Sequence, residues 1–416
     1  MRQDLPRPEP IPLEQKADNV NASLDHPGDP QKAATTKSDL VREVLAQAPV
    51  FDGHNDLPMA LREAFDYDAL AAGLGEGNTD FHTDIPSLRA GGVGAQFWSV
   101  YVSSAQPHPE AVVETLEQID GVYRLVDAYP ETFRIARTAA DVRAAWADGK
   151  IASLLGMEGG QSIANSLGTL RMMRKLGCGY MTLTHNDNTD WAASATGEEV
   201  DYGLTDFGRE IVKEMNRIGM LVDLSHVHAR TMHDALDVTT APVIFSHSSC
   251  RGVAKHVRNV PDDVLARLSA NGGVQMLNFV PSFINDAVAE WNVEHAGKKA
   301  ELAARIRAFA ADEAEAERET RAALDAWVAT NPEPTATIDD VVFHVEHARE
   351  VAGIDHIGLG GDFDGIPEGP EGLKRVSDYP ALLEALADRG WSAADLRKLT
   401  SENILRVLED SETDWS

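Results

Sequence analysis

Cysteine is scarce in this sequence. Its 416 residues include only Cys178 and Cys250, which do not form a Cys-x-x-Cys pair. The sequence therefore excludes a disulfide-built protein and gives no support to a zinc-finger or thioredoxin-like site. A chain of this length can bury a large apolar core without cross-links.

Positive charge is also scarce. Lys and Arg total 37 while Asp and Glu total 67, which gives a formal net charge of −30. A protein that binds nucleic acid needs clustered positive charge against the phosphates, so we expect no nucleic-acid partner. The acidic balance bears on partners and solubility and says nothing about the fold.

Long apolar runs are missing as well. The first residues, MRQDLPRPEPIPLEQ, lack the apolar centre of a secretory signal, and no window approaches the about 18–20 apolar residues of a membrane span. The last residues, RVLEDSETDWS, are polar and acidic, unlike a lipid-anchor signal. These features predict a cytoplasmic protein with no membrane partner.

The first part of the chain differs in composition from the rest. Residues 1–36 hold six prolines and few large apolar side chains, which is typical of a flexible arm. We predict a disordered N-terminal arm over residues 1–38, followed by a single domain over residues 39–416.

Within that domain, short apolar runs alternate with longer segments of helical periodicity. This alternation predicts an α/β protein with parallel strands joined by crossover helices, and eight strands close a (β/α)8 barrel of the TIM type. The predicted strands are Pro49–Asp52, Ala95–Val102, Ile151–Met157, Tyr180–Thr184, Leu221–Leu224, Val243–Ser246, Gly273–Phe279 and His356–Gly360.

Residues 281–337 interrupt the alternation between the seventh and eighth strands. Their segment Gly297–Val328 is rich in Ala, Glu and Arg and predicts one or two amphipathic helices. Such an insertion can act as a lid or an oligomer surface, or it can be a solvated excursion from the barrel. We favour the solvated excursion.

Polar residues that can bind a metal recur just after the predicted strands. In a parallel barrel these positions meet at the carboxyl-terminal mouth, where the active site belongs. Side chains two apart on a strand share a face, so a His-x-Asp pair can reach one ion. The residues concerned are His54, Asp56, Glu158, His185, His226, His247 and Asp362.

Histidine and carboxylate ligands without cysteine suit zinc in an open catalytic site. His226 and His247 follow successive strands and can share a second ion, while the two oxygens of Glu158 can bridge two cations. Two metals that share a water supply hydroxide near neutral pH. One such histidine alone is more often a packing residue, but several strand ends in barrel order predict a metal site.

Other catalytic motifs are missing. The pairs Gly159-Gly160 and Gly360-Gly361 lack the spacing of phosphate-binding loops, and Ser246 lies outside any Gly-x-Ser-x-Gly elbow. The sequence therefore does not favour a nucleotide-binding protein or a serine hydrolase. We interpret the remaining histidines His228, His344, His347 and His356 as packing residues.

Several of these stretches resemble the membrane (renal) dipeptidase family of the amidohydrolase superfamily. The resemblance runs from residue 51 to about residue 409 and is that of a soluble microbial-type member. The matching motifs include FDGHNDLP, LLGMEGG, YMTLTHNDNTDWA, GLTDFGREIVKEMNRIGMLVDLSHV, APVIFSHSSCRGV, RNVPDDVL and GLGGDFDG.

The resemblance implies a zinc dipeptidase with two zinc ions per chain, which cleaves dipeptides, tolerates a C-terminal D-residue and forms a homodimer. His54, Asp56 and Glu158 would hold one zinc, and Glu158, His226 and His247 the other.

The resemblance also assigns roles to three residues around the metals. His185 would steady the oxyanion, Arg258 would bind the terminal carboxylate of the substrate, and Asp362 would act as acid and base. From the residues alone, a surface salt bridge with Asp262 or Asp263 is the preferred interpretation of Arg258.

The sequence departs from the family at two places. Ser104 and Asp187 stand where the resemblance implies a cysteine pair, and Val280 stands where mammalian members have an aromatic residue. Two alternatives stay open, a zinc-dependent N-acyl amino-acid hydrolase or lactonase and a barrel that has lost catalysis. Arg258 discriminates between the dipeptidase and the first alternative, because a substrate without a carboxylate would gain nothing from it. His185 and Asp362 argue against the second, since neither is needed merely to hold zinc.

Overall fold

The computed structural model describes residues 36–77, 80–106 and 108–415. Most of the predicted arm, residues 1–35, lies outside the described residues. Lys37 and Ser38 already belong to the first helix. The division into an arm and a single domain from residue 39 stays a prediction.

The strands of the described part form one parallel sheet that closes on itself. Eight of them make a ring in the order β1-β2-β4-β5-β6-β7-β8-β9, and β9 pairs with β1. The strands are β1 (Val50–Asn55), β2 (Val93–Tyr101), β3 (Phe133–Ile135), β4 (Ile151–Glu158), β5 (Cys178–Thr182), β6 (Leu221–Asp223), β7 (Val243–Phe245), β8 (Val274–Leu277) and β9 (Ile357–Leu359).

Helices surround the ring. Several begin with a side-chain cap, as at Thr138, whose hydroxyl accepts the Asp141 N–H. The helices are α1 (Lys37–Gln47), α2 (Leu57–Phe65), α3 (Ile85–Ala90), α4 (His108–Ala128), α5 (Ala139–Ala147), α6 (Leu167–Leu176), α7 (Asp206–Arg217), α8 (Ala229–Val238), α9 (Asp262–Asn271), α10 (Pro281–Ile284), α11 (Asp286–Arg307), α12 (Glu313–Val328), α13 (Ile338–Ala352), α14 (Tyr379–Asp388), α15 (Ala393–Arg397) and α16 (Asn403–Ser411).

The predicted TIM-type barrel is confirmed, and each of the eight predicted strands overlaps a strand of the ring. These strands are buried along nearly their whole length, which explains why they appear in the sequence as continuous apolar runs. The short β3 was not predicted. It pairs only with the first residues of β4 and stands outside the ring.

The predicted helical insertion is confirmed between β8 and β9, the seventh and eighth strands of the ring. It holds the short α10 and the antiparallel pair α11 and α12, so the helical segment begins earlier than Gly297. Few side chains of this pair are buried. Val293 and Phe309 are exposed, which agrees with a largely solvated excursion.

Aromatic rings pack against one another in the barrel interior and position the Tyr180 hydroxyl. Phe97 of β2 contacts Phe51 of β1 and Tyr180 of β5, with ring centroids 5.5 and 4.8 Å apart. Gly156 of β4 makes room for Tyr180, because a Cβ there would lie 2.0 Å from the Tyr180 Cζ. The Tyr180 hydroxyl can therefore reach the carboxyl-terminal end of β1.

His344 of α13 is buried, and its hydrogen bonds connect α13 to the segments that contain Cys250 and Ile284. The Cys250 N–H donates to its Nδ1 at 3.0 Å, and its Nε2–H donates to the Ile284 carbonyl at 3.2 Å. Burial lowers the pKa of His344 to about 4. The ring is therefore neutral in the folded protein at neutral pH and has the packing role predicted for it.

The low pKa of His344 predicts a pH-dependent stability. Unfolded chain binds this proton near pH 6.5, but folded protein does not until about pH 4. The stability contribution of His344 is therefore full above pH 6.5 and is lost as the pH falls towards 4, by about 2 kcal/mol at pH 4.5.

Urea unfolding of the wild type and of His344→Asn at pH 7.0 and 4.5 tests this expectation. The difference in unfolding free energy between the two proteins should shrink at pH 4.5. The exposed His108→Asn is the control for the substitution. A wild-type advantage over His344→Asn that is equal at both pH values would contradict the prediction.

Candidate metal centre and active site

The carboxyl-terminal mouth of the barrel gathers the predicted metal-binding side chains. His54 lies in β1, Glu158 is the last residue of β4, and His226 and His247 follow β6 and β7. All four are buried. The strand ends therefore converge as the parallel topology requires.

The two oxygens of Glu158 face two different sets of donors. Oε2 lies 3.4 Å from His54 Nε2, which is itself 3.3 Å from Asp56 Oδ2. Oε1 lies 3.0 Å from His226 Nε2 and 3.6 Å from His247 Nε2. The donors thus lie on both sides of one carboxylate. By mutual distance His247 also groups with His54 and Glu158, so the division into two ligand sets stays a prediction.

The position of Asp56 does not result from the strand alternation that the sequence analysis assumed. It is the N-cap residue of α2 rather than a strand residue, and its backbone has left the extended region at φ −95° and ψ 16°. Its N–H donates to the Phe363 carbonyl at 2.9 Å. The turn into α2, not the two-residue period of a strand, aims its carboxylate at His54.

Hydrogen bonds on the opposite ring nitrogens fix two of the histidines. The Ser246 hydroxyl donates to Asp223 Oδ2 at 2.6 Å, so its oxygen accepts a hydrogen bond from His247 Nδ1–H at 2.8 Å. The Tyr180 hydroxyl donates to the Gly53 carbonyl and accepts from His54 Nδ1 in the same way. In both rings Nδ1 is thus engaged, and Nε2 is the nitrogen that faces Glu158. His247 Nε2 also lies 2.9 Å from His226 Nε2.

The charges of the cluster fit a cation. Burial raises the pKa of Glu158, but His54 and a hydrogen bond from His226 outweigh it and hold that pKa well below the usual range. Burial also lowers the pKa values of His226 and His247 strongly. Burial lowers the pKa of His54, but the nearby Tyr180, Glu158 and Asp56 outweigh it and raise that pKa well above its usual range. An ionised carboxylate beside the neutral rings of His226 and His247 is a donor set for zinc or a similar ion, and His54 Nε2 has no hydrogen-bond partner among the described residues.

His185 lies beside these donors. Its Nε2 is 3.8 Å from Glu158 Oε1, and its ring centroid is 4.4 Å from that of His226. Burial lowers its pKa, so the ring is neutral. By distance alone His185 groups with Glu158 and His226 as a third donor, an arrangement that the sequence did not suggest.

Asp362 follows β9 and completes the mouth on the side of His54. Its N–H donates to the His54 carbonyl at 3.2 Å. Burial, together with Asp56 and Glu158, raises its pKa well above the ordinary value, against the opposing effects of His54 and Arg258. Asp362 and His226 both have left-handed backbones, at φ 63° and 66°, which cost about 1–2 kcal/mol each for residues with a Cβ.

Arg258 is buried at the cavity and does not form the surface salt bridge considered from the sequence. Asp262 pairs with His347 at 2.8 Å, and Asp263 pairs with His233 at 3.1 Å. Arg258 is only 3% exposed, and its NH1 has no hydrogen-bond partner in the described part of the chain. Burial lowers its pKa to about 10, so the guanidinium remains charged at neutral pH.

A cavity of about 630 Å³ opens between these groups. At its rim, the Ser104 hydroxyl donates to Asp187 Oδ2 at 2.5 Å, which joins the two positions where the resemblance implies a cysteine pair. The cavity is lined by Asp56, Met59, Tyr101, Glu158, His185, Asn186, Asp187, Thr196, His226, His256, Arg258, Val280, Phe283, Asp362, Gly365, Ile366 and Pro367.

Asp52 is a positioning group that the sequence analysis missed. Its Oδ1 accepts the N–H groups of His54 and Gly361 at 3.0 and 3.1 Å, and its Oδ2 accepts the Tyr379 hydroxyl at 2.6 Å. One carboxylate thus joins the strand that carries His54 to the loop that carries Asp362. The FDGHND motif contains Asp52, but nothing local in the sequence points to Tyr379.

A comparison with protein families identifies the chain. The model of the membrane dipeptidase family, peptidase family M19, matches residues 38–414. The chain belongs to the membrane dipeptidase family. The predicted resemblance is therefore confirmed, and the protein is a metal-dependent hydrolase of the dipeptidase type.

Solved structures agree with this membership. The probable dipeptidase PvdM from Pseudomonas aeruginosa has the same fold, with a TM-score of 0.76 at 20% identity over 90% of this chain and 98% of that chain. Dipeptidase AC, a metallopeptidase of family M19, has a TM-score of 0.70 at 26% identity, over 88% and 98% of the two chains.

A metallopeptidase from Rhodobacter sphaeroides is similar to the same degree. Its TM-score is 0.69 at 26% identity, over 88% of this chain and 99% of that chain, and it is liganded with a phosphinate mimic of the dipeptide L-Ala-D-Ala. Despite the family's name, no helix in the described ranges is both long and apolar enough to cross a bilayer.

The hydrogen-bond chain behind His247 yields a prediction about metal affinity. Ser246→Ala removes the acceptor that fixes the His247 ring, and we expect zinc affinity to fall about 10- to 100-fold. Competition with a chromophoric chelator measures it. Ser249→Ala is the matched control, since Ser249 is an equally buried serine whose hydroxyl bonds to Asn278 and not to a histidine of the cluster. Equal affinities of the two variants would refute the role of Ser246.

Proposed function

We propose that the protein is a dinuclear zinc dipeptidase that hydrolyses the peptide bond of dipeptides. The observation behind this proposal is the position of Glu158, whose two oxygens face separate sets of nitrogen and oxygen donors at one end of a cavity. His54, Asp56 and Glu158 would hold one zinc, and Glu158, His226 and His247 would hold the other. Zinc ions bound there would supply a hydroxide nucleophile near neutral pH and polarise the scissile carbonyl.

The remaining polar residues of the cavity have separate roles in this proposal. Asp362, whose raised pKa lets it hold a proton, accepts the proton of the attacking water and delivers it to the leaving amine. His185, as a neutral ring close to Glu158, donates a hydrogen bond to the developing oxyanion. These two roles and the ligand set are the ones that the family resemblance implies.

Arg258 selects the substrate. A buried guanidinium without a protein partner at NH1 is costly unless an anion from outside completes it, and a bidentate bond to a terminal carboxylate does so. Since both Arg258 and the metal donors are fixed, the distance between carboxylate and scissile bond is fixed too. This favours a dipeptide over longer peptides, and it disfavours a lactone, which has no carboxylate.

Three finer features are also proposals. The phosphinate mimic of L-Ala-D-Ala in the Rhodobacter sphaeroides relative supports tolerance of a D-residue at the C-terminal position. The homodimer and the cytoplasmic location rest on the family resemblance and the sequence, respectively. Size-exclusion chromatography with light scattering tests the homodimer.

The zinc proposal predicts metal content and substrate length together. Purified protein should hold about two zinc per chain and cleave Ala-Ala of L,L and L,D configuration but not Ala-Ala-Ala. Glu158→Ala should lose zinc, and Asp362→Asn should keep zinc but lose about 10²- to 10⁴-fold in kcat. Mass spectrometry for metal and a ninhydrin assay measure both quantities. A zinc-free active enzyme, or full activity of Asp362→Asn, would sink the mechanism.

The role of Arg258 predicts a loss that depends on the substrate's carboxylate. Arg258→Lys keeps the positive charge but cannot form the bidentate hydrogen bond to a carboxylate, so kcat/KM for Ala-Ala should fall about 10- to 100-fold. For the amide Ala-Ala-NH2 the two proteins should be equally slow. Lys255→Ala, a change in the same loop outside the cavity lining, is the control. A similar loss on both substrates would assign Arg258 a structural role, and faster cleavage of N-acetyl-alanine than of Ala-Ala would favour the N-acyl amino-acid hydrolase.

A further inference from the structure

The start of the insertion forms part of the cavity wall. Val280 and Phe283, in and just before α10, line the cavity. The long helices α11 and α12 contribute no lining residue in the described part of the chain. The functional part of the insertion is therefore its first turn and not the helical pair that dominates its length.

Phe283 lies against the residue that would hold the substrate's carboxylate. The Arg258 guanidinium carbon is 5.5 Å from the centroid of the Phe283 ring. His256 stacks on the same ring, with centroids 4.2 Å apart and planes inclined by 20°. Phe283 is thus held between the loop of Arg258 and the open cavity.

Hydrogen bonds hold this wall in place from several sides. Asn259 Nδ2 donates to the carbonyls of Phe283 and Ala254 at 2.6 and 2.8 Å. The next carbonyl, that of Ile284, accepts from His344 Nε2, and the Lys255 N–H donates to Asp286 Oδ1 at 2.7 Å. These bonds fix the backbone of the wall, and the stacked His256 ring positions the Phe283 side chain on it.

The wall adds no second charge near Arg258. Burial and the neighbouring Arg258 and Arg251 lower the pKa of His256 to about 4, so its ring is neutral at pH 7. Its Nδ1 accepts the backbone N–H of Arg258 at 3.3 Å. One cation therefore stands beside an uncharged aromatic surface, which suits a carboxylate attached to an apolar side chain.

We infer that Phe283 determines the side-chain preference at the C-terminal residue of the substrate and favours large apolar residues there. The inference rests on the proposed function, because it takes Arg258 as the carboxylate site. The side chain of the C-terminal residue branches from the carbon next to that carboxylate and so lies within reach of the ring. Val280, a small residue at this wall, leaves room for that side chain.

Ala-Leu and Ala-Ala, assayed with Phe283→Ala, test the inference. The wild type should prefer Ala-Leu by about tenfold in kcat/KM, and Phe283→Ala should lower kcat/KM for Ala-Leu about tenfold more than for Ala-Ala. Phe309→Ala is the matched control, since it makes the same change at an exposed position of the same insertion. Phe283→Leu, which keeps an apolar contact, should retain most of the preference.

Binding measurements separate this inference from the proposed function. Calorimetric titration with N-acetyl-leucine and N-acetyl-alanine measures the contribution of Phe283 to binding whether or not dipeptides are cleaved. The wild type should favour the leucine derivative, and Phe283→Ala should not. If the protein did not cleave dipeptides but kept this binding preference, the proposed function would be overturned and the role of Phe283 would be supported. Cleavage of dipeptides with the same Ala-Leu to Ala-Ala ratio in wild type and Phe283→Ala, or equal binding of both ligands by the wild type, would overturn the inference.

Discussion

The ionised carboxylate of Glu158 lies where almost no water reaches it. Such a charge is costly unless opposite charge or donors surround it, and the mouth of the barrel is arranged to provide them. Imidazoles approach both oxygens, and two of these rings donate from Nδ1 to the hydroxyls of Tyr180 and Ser246, which turns their Nε2 atoms inward. Even Gly156 serves this end, because its missing side chain is what admits Tyr180.

The barrel and most of its donors could be predicted from the sequence for one physical reason. Parallel strands covered on both faces become continuous apolar runs, so a histidine or carboxylate at the end of a run is conspicuous. The pattern does not extend to contacts between distant segments. Asp52 meets Tyr379 across more than three hundred residues, and β3 is too short to form a recognisable run.

Some residues could be interpreted only with the structure or the family in view. Composition and spacing made Arg258 a partner for a nearby aspartate, and its burial beside the cavity separates the two interpretations. Asp56 lies beside His54 as expected, but a helix cap and not a strand directs it there. Periodicity predicted the helices of the insertion, yet periodicity cannot tell which of its turns touches the cavity.

The left-handed backbone at Asp362 limits what evolution can do at this position. Aspartate, asparagine and glycine tolerate that conformation far better than other residues, because a longer or branched side chain crowds the adjacent carbonyl. Glutamate is one carbon longer and keeps the acid, but here it would meet an unfavourable backbone conformation. The readily accepted replacements, asparagine and glycine, lack an acidic group. If Asp362 transfers the proton as proposed, gradual change at residue 362 leads to an inactive barrel rather than to a different catalyst.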